Sequence, residues 1–360
     1  MNVLLIYGGK SCEHDISVIT ACLAKGYFAG NVYSAYLTQE NVCYLVPNGI
    51  TPKQHKTEQF KDKLTFLFGE KQVAVVRKNR IKKRIVIDVA VNCCHGHCGE
   101  DGSVAGLCAL ANVPLVGCDV IASAVTMDKV YTKMALDSLG LPNVKGVTLK
   151  NGFTEHDLDK IESLGYPVIV KPATLGSSIG ITLCHNREEL TGALKVAFEY
   201  DSRVLCEKAL QDFYELNCAA TITKNGVATS RVERPYTTHD ILTFQDKYQQ
   251  NTKFAPPETQ VPAEIESKVR KITEQIYVGM HLSGVVRVDF LVDNVGGKLY
   301  VNEINTTPGS LAYGLWQHKY TPFQYGAILV EGALENYRSQ EALKRKFDSG
   351  VLNSSLYSKK

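Results

Sequence analysis

The stretch Gly284 to Asn305, GVVRVDFLVDNVGGKLYVNEIN, reads as two apolar strands, Gly284 to Val292 and Lys298 to Ile304, with polar side chains set into each at alternate positions. Successive strand residues face opposite sides of a sheet, so Arg287 and Asp289 share one face, and Glu303 and Asn305 share one face of the next strand. Paired, the two strands offer Asp289, Glu303 and Asn305 together as hard oxygen ligands. That set suits Mg²⁺, which takes a few carboxylates and completes its octahedron with water and nucleotide phosphates. Taken alone, the same pattern also describes a cross-strand polar pair on a solvated face.

Upstream, Lys171-Pro-Ala-Thr-Leu-Gly-Ser-Ser-Ile-Gly180 places a lysine at the end of one strand and a Gly/Ser loop before another. Backbone amides of such a loop can cradle phosphate oxygens while the lysine adds a point charge. The glycine spacing of a Walker A loop is missing here, and the GGKS at residues 8–11 also fails it, because the first glycine would have to fall at Leu4. A glycine-rich hairpin is the alternative reading. Between these segments, the polar stretch from Pro235 to Val261 is longer than ordinary loops, which makes 235–261 a candidate active-site lid or, equally, a surface insertion.

The rest of the chain supplies context. Asn2 to Tyr7, a helical pattern from Asp15 to Tyr27 and a strand from Val32 to Leu37 form a β-loop-α-β opening. Leu64 to Phe68 and Val73 to Val76 suggest a hairpin, Ile85 to Asn92 reads as one buried strand, and GEDGSVAGLCALANVP as a loop and then a helix. Strands alternating with helices predict a mainly parallel sheet. Ile121 to Leu139 reads as one long helix stopped by Gly140 and Pro142. Beyond it, residues 146–206 alternate strand and helix as a compact α+β unit. Long strands follow at Tyr214 to Thr223 and Val227 to Glu233, then a helix reaching His281.

Composition narrows the function. A chain of 360 residues is long enough for two or three domains, and 44% apolar with 21% charged residues is the balance of a folded globular protein. Forty Lys plus Arg against 37 Asp plus Glu leave +3, too little and too dispersed for a nucleic-acid or polybasic membrane surface, so a small-molecule partner is expected. No apolar run approaches a membrane span and MNVLLIYGG leads straight into a strand, so the expected location is the cytoplasm. Eleven cysteines, many among apolar neighbours (Cys22, Cys108, Cys184, Cys206, Cys218), read as reduced core thiols. The cluster Cys93, Cys94, His95, His97 and Cys98 has zinc-ligand residue types, but no second Cys/His cluster completes a tetrahedron.

The order GGKSCEHDIS, HGHCGEDGSVAG, MDK, VKPATLGSSIG, EKAL with a later Glu, DKY, RVDF and NEINTTPG, from residue 2 to about 338, resembles the D-alanine:D-alanine ligases of the ATP-grasp superfamily. The resemblance implies an α/β and α+β, three-domain ATP-grasp fold. Residues 1–121 would form an N-terminal parallel α/β domain, 122–210 the central domain and 211–340 the C-terminal domain with the 235–261 lid, leaving 341–360 as a flexible tail. It places ATP between two antiparallel sheets and implies a homodimer.

By the same resemblance, Lys129 and Lys171 match the lysines on the ATP phosphates, with Ser178 and Lys247 also on the nucleotide. Glu207, Lys208, Ala209 and Leu210 match the adenine hinge, and Glu215 the ribose-binding acid. Asp289, Glu303 and Asn305 match the ligands of two Mg²⁺ ions, with Mn²⁺ as an alternative. Glu13 matches the holder of the first D-alanine's ammonium, with His95 nearby. Ser177 and Tyr248 match residues joined to Glu13 in a network that closes the lid, and Arg287 and the Gly309 amide match the oxyanion-binding groups.

The implied reaction is ligation of two D-alanines through an acyl phosphate, for peptidoglycan precursor synthesis. One departure concerns the second substrate: Gly314 stands where the family usually has a serine contacting that substrate's carboxylate. This leaves D-serine, another D-amino acid or a D-hydroxy acid as alternatives, although DKY at 246–248 matches enzymes with an amine nucleophile. A catalytically silent nucleotide-binding homologue is a further alternative, opposed by the intact set of acids and bases. A dinucleotide oxidoreductase is opposed by the missing G-x-G-x-x-G turn, of which GGKSCE supplies only the leading glycines.

Overall fold

The computed structural model describes residues 1–235, 261–349 and 351, so Lys247, Tyr248 and nearly all of the 235–261 stretch lie outside the described residues. The chain opens with β1 (Asn2–Gly8), α1 (His14–Ala24), β2 (Asn31–Leu37), β3 (Cys43–Val46), β4 (Lys63–Leu67), β5 (Gln72–Arg77), β6 (Arg80–Val86), β7 (Val89–Asn92), α2 (Ser103–Leu110) and β8 (Leu115–Val116). These strands make one eight-stranded sheet in the order β6-β5-β4-β3-β2-β1-β7-β8. Only the β2-β1-β7-β8 half is parallel, whereas β2 to β6 form an antiparallel meander. The sheet is therefore mixed rather than mainly parallel. Short connections such as Lys78-Asn79, both at positive φ, can join antiparallel strands but leave no room for a crossover helix. The run expected as one strand from Ile85 to Asn92 is two, because the chain leaves β6 and re-enters the sheet at β7, six places away in the strand order.

The long helix expected over Ile121 to Leu139 is also two, α3 (Val120–Met127) and α4 (Lys129–Ser138). Asp128 between them is extended, and its Oδ1 accepts from the amides of Val130 and Tyr131 at 2.8 and 3.2 Å. The carboxylate competes for amides that a continuous helix would use, so the chain stops and restarts there. This cap fixes Lys129 as the first residue of α4.

A second sheet follows, from β9 (Gly146–Lys150), β10 (Val168–Pro172), β11 (Thr182–Cys184) and β12 (Arg203–Lys208), antiparallel in the order β11-β10-β12-β9. Helices α5 (Glu155–Glu162), started by a Thr154–Asp157 capping box, and α6 (Arg187–Tyr200) bury Leu158, Ile161, Leu190 and Leu194 against one face. The third sheet is β14-β13-β15-β16, made of β13 (Phe213–Thr223), β14 (Gly226–Thr229), β15 (Val285–Asp293) and β16 (Leu299–Asn305), again antiparallel and backed by α7 (Ala263–Gly279).

The last helix, α8 (Pro322–Glu341), returns to the start of the chain. Trp316, Tyr325 and Leu329 share one core with Val3, Leu5, Tyr27 and Phe28. A Cβ at Gly326 would lie 2.0 Å from the Tyr27 carbonyl oxygen, so only glycine permits this approach. All eleven cysteines are free; Cys108, Cys184, Cys206 and Cys218 are buried, while Cys22 is half-buried. Among the described residues no helix is long and apolar enough to cross a membrane.

Candidate active site

The second and third sheets face each other across a cleft that runs through three adjoining cavities. The first, about 790 Å³ of space including its open mouth, is lined by Ile169, Leu183, Ala209, Leu210, Phe213 and Leu291, with Glu207, Lys208 and Lys171 at its polar edge. The middle one, about 670 Å³, shares Lys171 and Phe213 with the first and brings in Lys129, Ser178, Glu215, Asp289 and Glu303. The last, about 610 Å³, shares Lys129, Gly176 and Glu303 with the middle one and continues to Glu13, His95, Ser177, Arg287, Asn305 and Gly309. An apolar slot thus opens into a cationic and acidic midsection, then into a polar end chamber.

At the slot edge, Lys171 projects from β10 and its Nζ pairs with Glu207 Oε2 at 2.6 Å. Lys133 on α4 contacts the other oxygen of the same carboxylate. Burial disfavours a charged Glu207, but Lys171 and Lys133 outweigh that and hold its carboxyl below the usual range. Lys208 is committed to the carbonyls of Gly165 and Tyr166, each at 2.8 Å.

In the midsection, Lys129 Nζ donates to the Leu175 carbonyl at 2.6 Å and reaches Glu303 Oε1 at 3.3 Å. Its backbone amide donates to Ala173 O at 2.9 Å, and Asp128 is paired with Arg203. The loop after β10 carries two non-glycine residues in the left-handed region, Ser177 (φ 53°) and Ser178 (φ 59°). Such backbone costs about 1–3 kcal/mol per residue and clusters where a loop must hold a ligand.

Asp289 and Glu303 are cross-strand partners, and Arg287 is opposite Asn305. Arg287 donates to both oxygens of Asp289 at 2.6 and 2.8 Å, and Asn305 Nδ2 to Oδ2 at 3.0 Å. Among the described residues no three His, Cys, Asp or Glu side chains form a ready-made metal cage. Two carboxylates and an amide oxygen beside a lysine-lined chamber nevertheless fit Mg²⁺, whose remaining positions go to phosphates and water. Asp289, Glu303 and Asn305 would hold it.

In the end chamber, Ser177 donates a short hydrogen bond to Glu13, and Gly176 packs against the same carboxylate. Glu13 sits in the turn before α1, so the N-terminal sheet delivers it to the cleft. His95 Nε2 and Thr20 Oγ1 are 2.8 Å apart. Burial, with Arg287 adding to it, pushes His95 down to about 3, so its imidazole stays neutral. Glu100 accepts from the amides of Gly96 and Thr307 at 2.8 and 3.1 Å; burial and then Glu13 push its carboxyl up to about 8. It thereby ties the His95 loop to the loop that follows Asn305. After Gly309, Ser310, Leu311 and Ala312 are all left-handed, a turn held partly by the Ser310 amide donating to Thr20 Oγ1 at 3.3 Å.

Of the residues expected from sequence, the structure brings Glu13, His95, Ser177, Arg287, Gly309 and Asn305 to one end and Lys129, Lys171, Ser178, Glu215, Asp289 and Glu303 to the middle. Glu207, Lys208, Ala209 and Leu210 lie at the apolar slot. Gly314 lines none of the three cavities; it is exposed, with open space where a side chain would go. Lys133, Glu100, Thr20 and Arg203 were not anticipated. For Lys133 a signal existed, since it stands four residues after Lys129 and so on the same helix face.

Two facing antiparallel sheets with lysines and acids between them, joined to a mixed N-terminal sheet, define an ATP-grasp protein. Two family models match the chain, D-ala D-ala ligase N-terminus over residues 2–118 and D-ala D-ala ligase C-terminus over 135–321. A D-alanine--D-alanine ligase of Thermosipho africanus is 33% identical over 365 residues, covering 98% of each chain, and one of Thermoanaerobacter sp. is 35% identical over 340 residues, covering 88% of this chain and 91% of the relative. The solved D-alanine-D-alanine ligase of Coxiella burnetii superposes with a TM-score of 0.81 at 25% identity, over 95% of this chain and 96% of that one. A D-Ala:D-Ser ligase from Enterococcus faecalis shares the fold, with a TM-score of 0.74 at 24% identity over 93% of this chain and 99% of its own. The chain belongs to the D-alanine–D-alanine ligase family.

Proposed function

We propose that this protein joins two D-alanine molecules to D-alanyl-D-alanine with conversion of ATP to ADP and phosphate, as a step in peptidoglycan precursor synthesis in the cytoplasm. The observation that carries the reading is the continuous cleft, which runs from an apolar slot suited to adenine, past Lys171 and Lys129, to Glu13, His95 and Arg287. An amine does not attack a free carboxylate at a useful rate. The first D-alanine carboxylate oxygen therefore takes the γ-phosphoryl group, ADP leaves, and the acyl phosphate is then attacked by the second D-alanine's amine with loss of phosphate and a proton.

In this reading Lys171, Ser178, Lys247 and Glu215 bind the nucleotide with the Glu207–Leu210 hinge, and Lys129 neutralises charge on the transferred phosphoryl group. Glu13, linked to Ser177, holds the first ammonium beside His95, and by the family resemblance Tyr248 belongs to the same network. Arg287 and the Gly309 amide receive the oxyanion of the tetrahedral intermediate. Two Mg²⁺ ions, or Mn²⁺ in their place, would be held by Asp289, Glu303 and Asn305 and would supply charge neutralisation when bound. We further propose that the chain works as a homodimer, and that it divides into units at 1–121, 122–210 and 211–340.

Phosphate release and mass-detected products, measured with ATP and Mg²⁺ over D-alanine, D-serine, D-lactate and L-alanine, test the proposal. D-alanine-dependent phosphate release with D-alanyl-D-alanine as the main product is expected. Release independent of any D-amino acid, or a preferred depsipeptide product, overturns it. Light scattering at micromolar concentration tests the dimer, and a monomer mass would refute it.

A further inference from the structure

The adenine slot and the phosphate chamber meet at a carboxylate shared by two lysines. Glu207 on β12 is 4% exposed at its side chain; Lys171, on the neighbouring strand, is 10% exposed and Lys133, on α4, is 15% exposed. Lys171 lines both cavities, whereas Lys133 lines none of the three. Lys133 also donates to the Val144 carbonyl at 2.6 Å, and Val144 lines the slot.

A buried carboxylate paired with one lysine forms a neutral couple, whose field beyond a few ångströms largely cancels. Glu207 would then quench the lysine that is supposed to attract phosphate. With two lysines on one carboxylate the cluster keeps a net charge of +1, and that charge sits in a setting where water screens it poorly.

Building on the nucleotide reading of the cleft, we infer that Lys133 is a positioning residue for ATP: it shares Glu207 with Lys171, so that Lys171 stays oriented toward the phosphates and the cluster stays cationic. Lys133 acts through Glu207 and touches no substrate itself. The inference separates Lys133 from a residue that only holds α4 in place, because it assigns the effect to the phosphates and not to the adenine.

The experiment is titration of ADP and of adenosine, by calorimetry, into the full-length protein, its Lys133→Met variant and the double variant Lys133→Met/Glu207→Gln. Met removes the charge and keeps the length, leaving Glu207 and Lys171 as a neutral pair; the Gln of the double variant restores the net +1. For Lys133→Met, ADP binding should weaken on the order of tenfold while adenosine binding changes less than about twofold. The double variant should recover most of the ADP affinity. In turnover, the KM for ATP should rise with kcat nearly unchanged, the pattern of lost ground-state binding.

Equal loss of ADP and adenosine binding would show a structural role and overturn the inference, as would unchanged ADP binding or a double variant weaker than the single one. Should Lys133→Met fail to fold, the double variant, which buries no unpaired carboxylate and carries the wild-type cluster charge of +1, decides the matter by its ADP affinity relative to wild type: an affinity within a few fold supports the inference and a loss of about tenfold or more refutes it. Wild-type protein that binds neither ligand would instead overturn the nucleotide reading itself.

Discussion

Gly176→Ala probes the end chamber with a single methyl group. Gly176 has no positive φ, so alanine is allowed by the backbone, but its Cβ would lie 2.8 Å from Glu13 Oε2 and 2.9 Å from Oε1, against ordinary contact from 3.4 Å. The carboxylate must retreat by about half an ångström, which loosens its hydrogen bond from Ser177. A hydrogen bond to a charged group is worth about 1.5–3 kcal/mol, and misplacement by about 1 Å in a reacting site costs about a hundredfold. Half that displacement, with the bond strained and not deleted, gives a loss of about tenfold to thirtyfold in kcat/KM for D-alanine. Steady-state ADP release at varied D-alanine measures it, with the KM for ATP expected within about twofold of wild type, because the adenine slot and Lys171 are untouched. A folded variant, judged by an unchanged melting curve, that keeps wild-type kcat/KM for D-alanine would refute the assignment of Glu13 to the first substrate.

Three further outcomes are expected. Asp289→Asn or Glu303→Gln should each lower ligation at least about a hundredfold, with melting temperature little changed, because each removes a charge needed to hold the metal; near-normal turnover with Mg²⁺ in either variant would remove the metal assignment. Gly314→Ser should leave the KM for the second D-alanine unchanged, because among the described residues it is exposed and lines none of the three cavities; a lowered KM would return that position to the second subsite. His95 is held from its ordinary 6.5 down to about 3, so only the unfolded chain takes up its proton between those values and stability should fall as pH drops through that window. Denaturant midpoints of His95→Gln should show a shallower acid limb than wild type, and parallel limbs would contradict the buried neutral imidazole.

Residue type and local period sufficed where the interaction was local or lay between adjacent strands. Alternation in Arg287–Phe290 and Tyr300–Asn305 implied a shared face for Asp289, Glu303 and Asn305, and pairing of β15 with β16 puts them there. The lysine at the end of β10 and its Gly/Ser loop were equally legible, because strand ends and left-handed turns leave compositional marks. What the sequence could not decide was which distant segments share a cavity. Glu13 meets Ser177 across 164 positions, Glu100 meets Thr307 across 207, and α8 closes its core against the first strand. The division at Asp128 was also hidden: an apolar helical period continues through it, and only the capping carboxylate, with Arg203 on its other oxygen, decides that the helix stops. Gly314 carries the same lesson in reverse. The family resemblance suggested the second subsite, but after the left-handed run Ser310 to Ala312 the short helix Tyr313–Trp316 buries Leu315 and Trp316 and leaves Gly314 exposed. Sequence thus set the chemistry of each strand and loop, while tertiary packing chose which of them meet, because contact between remote segments depends on how whole sheets and helices bury their apolar faces.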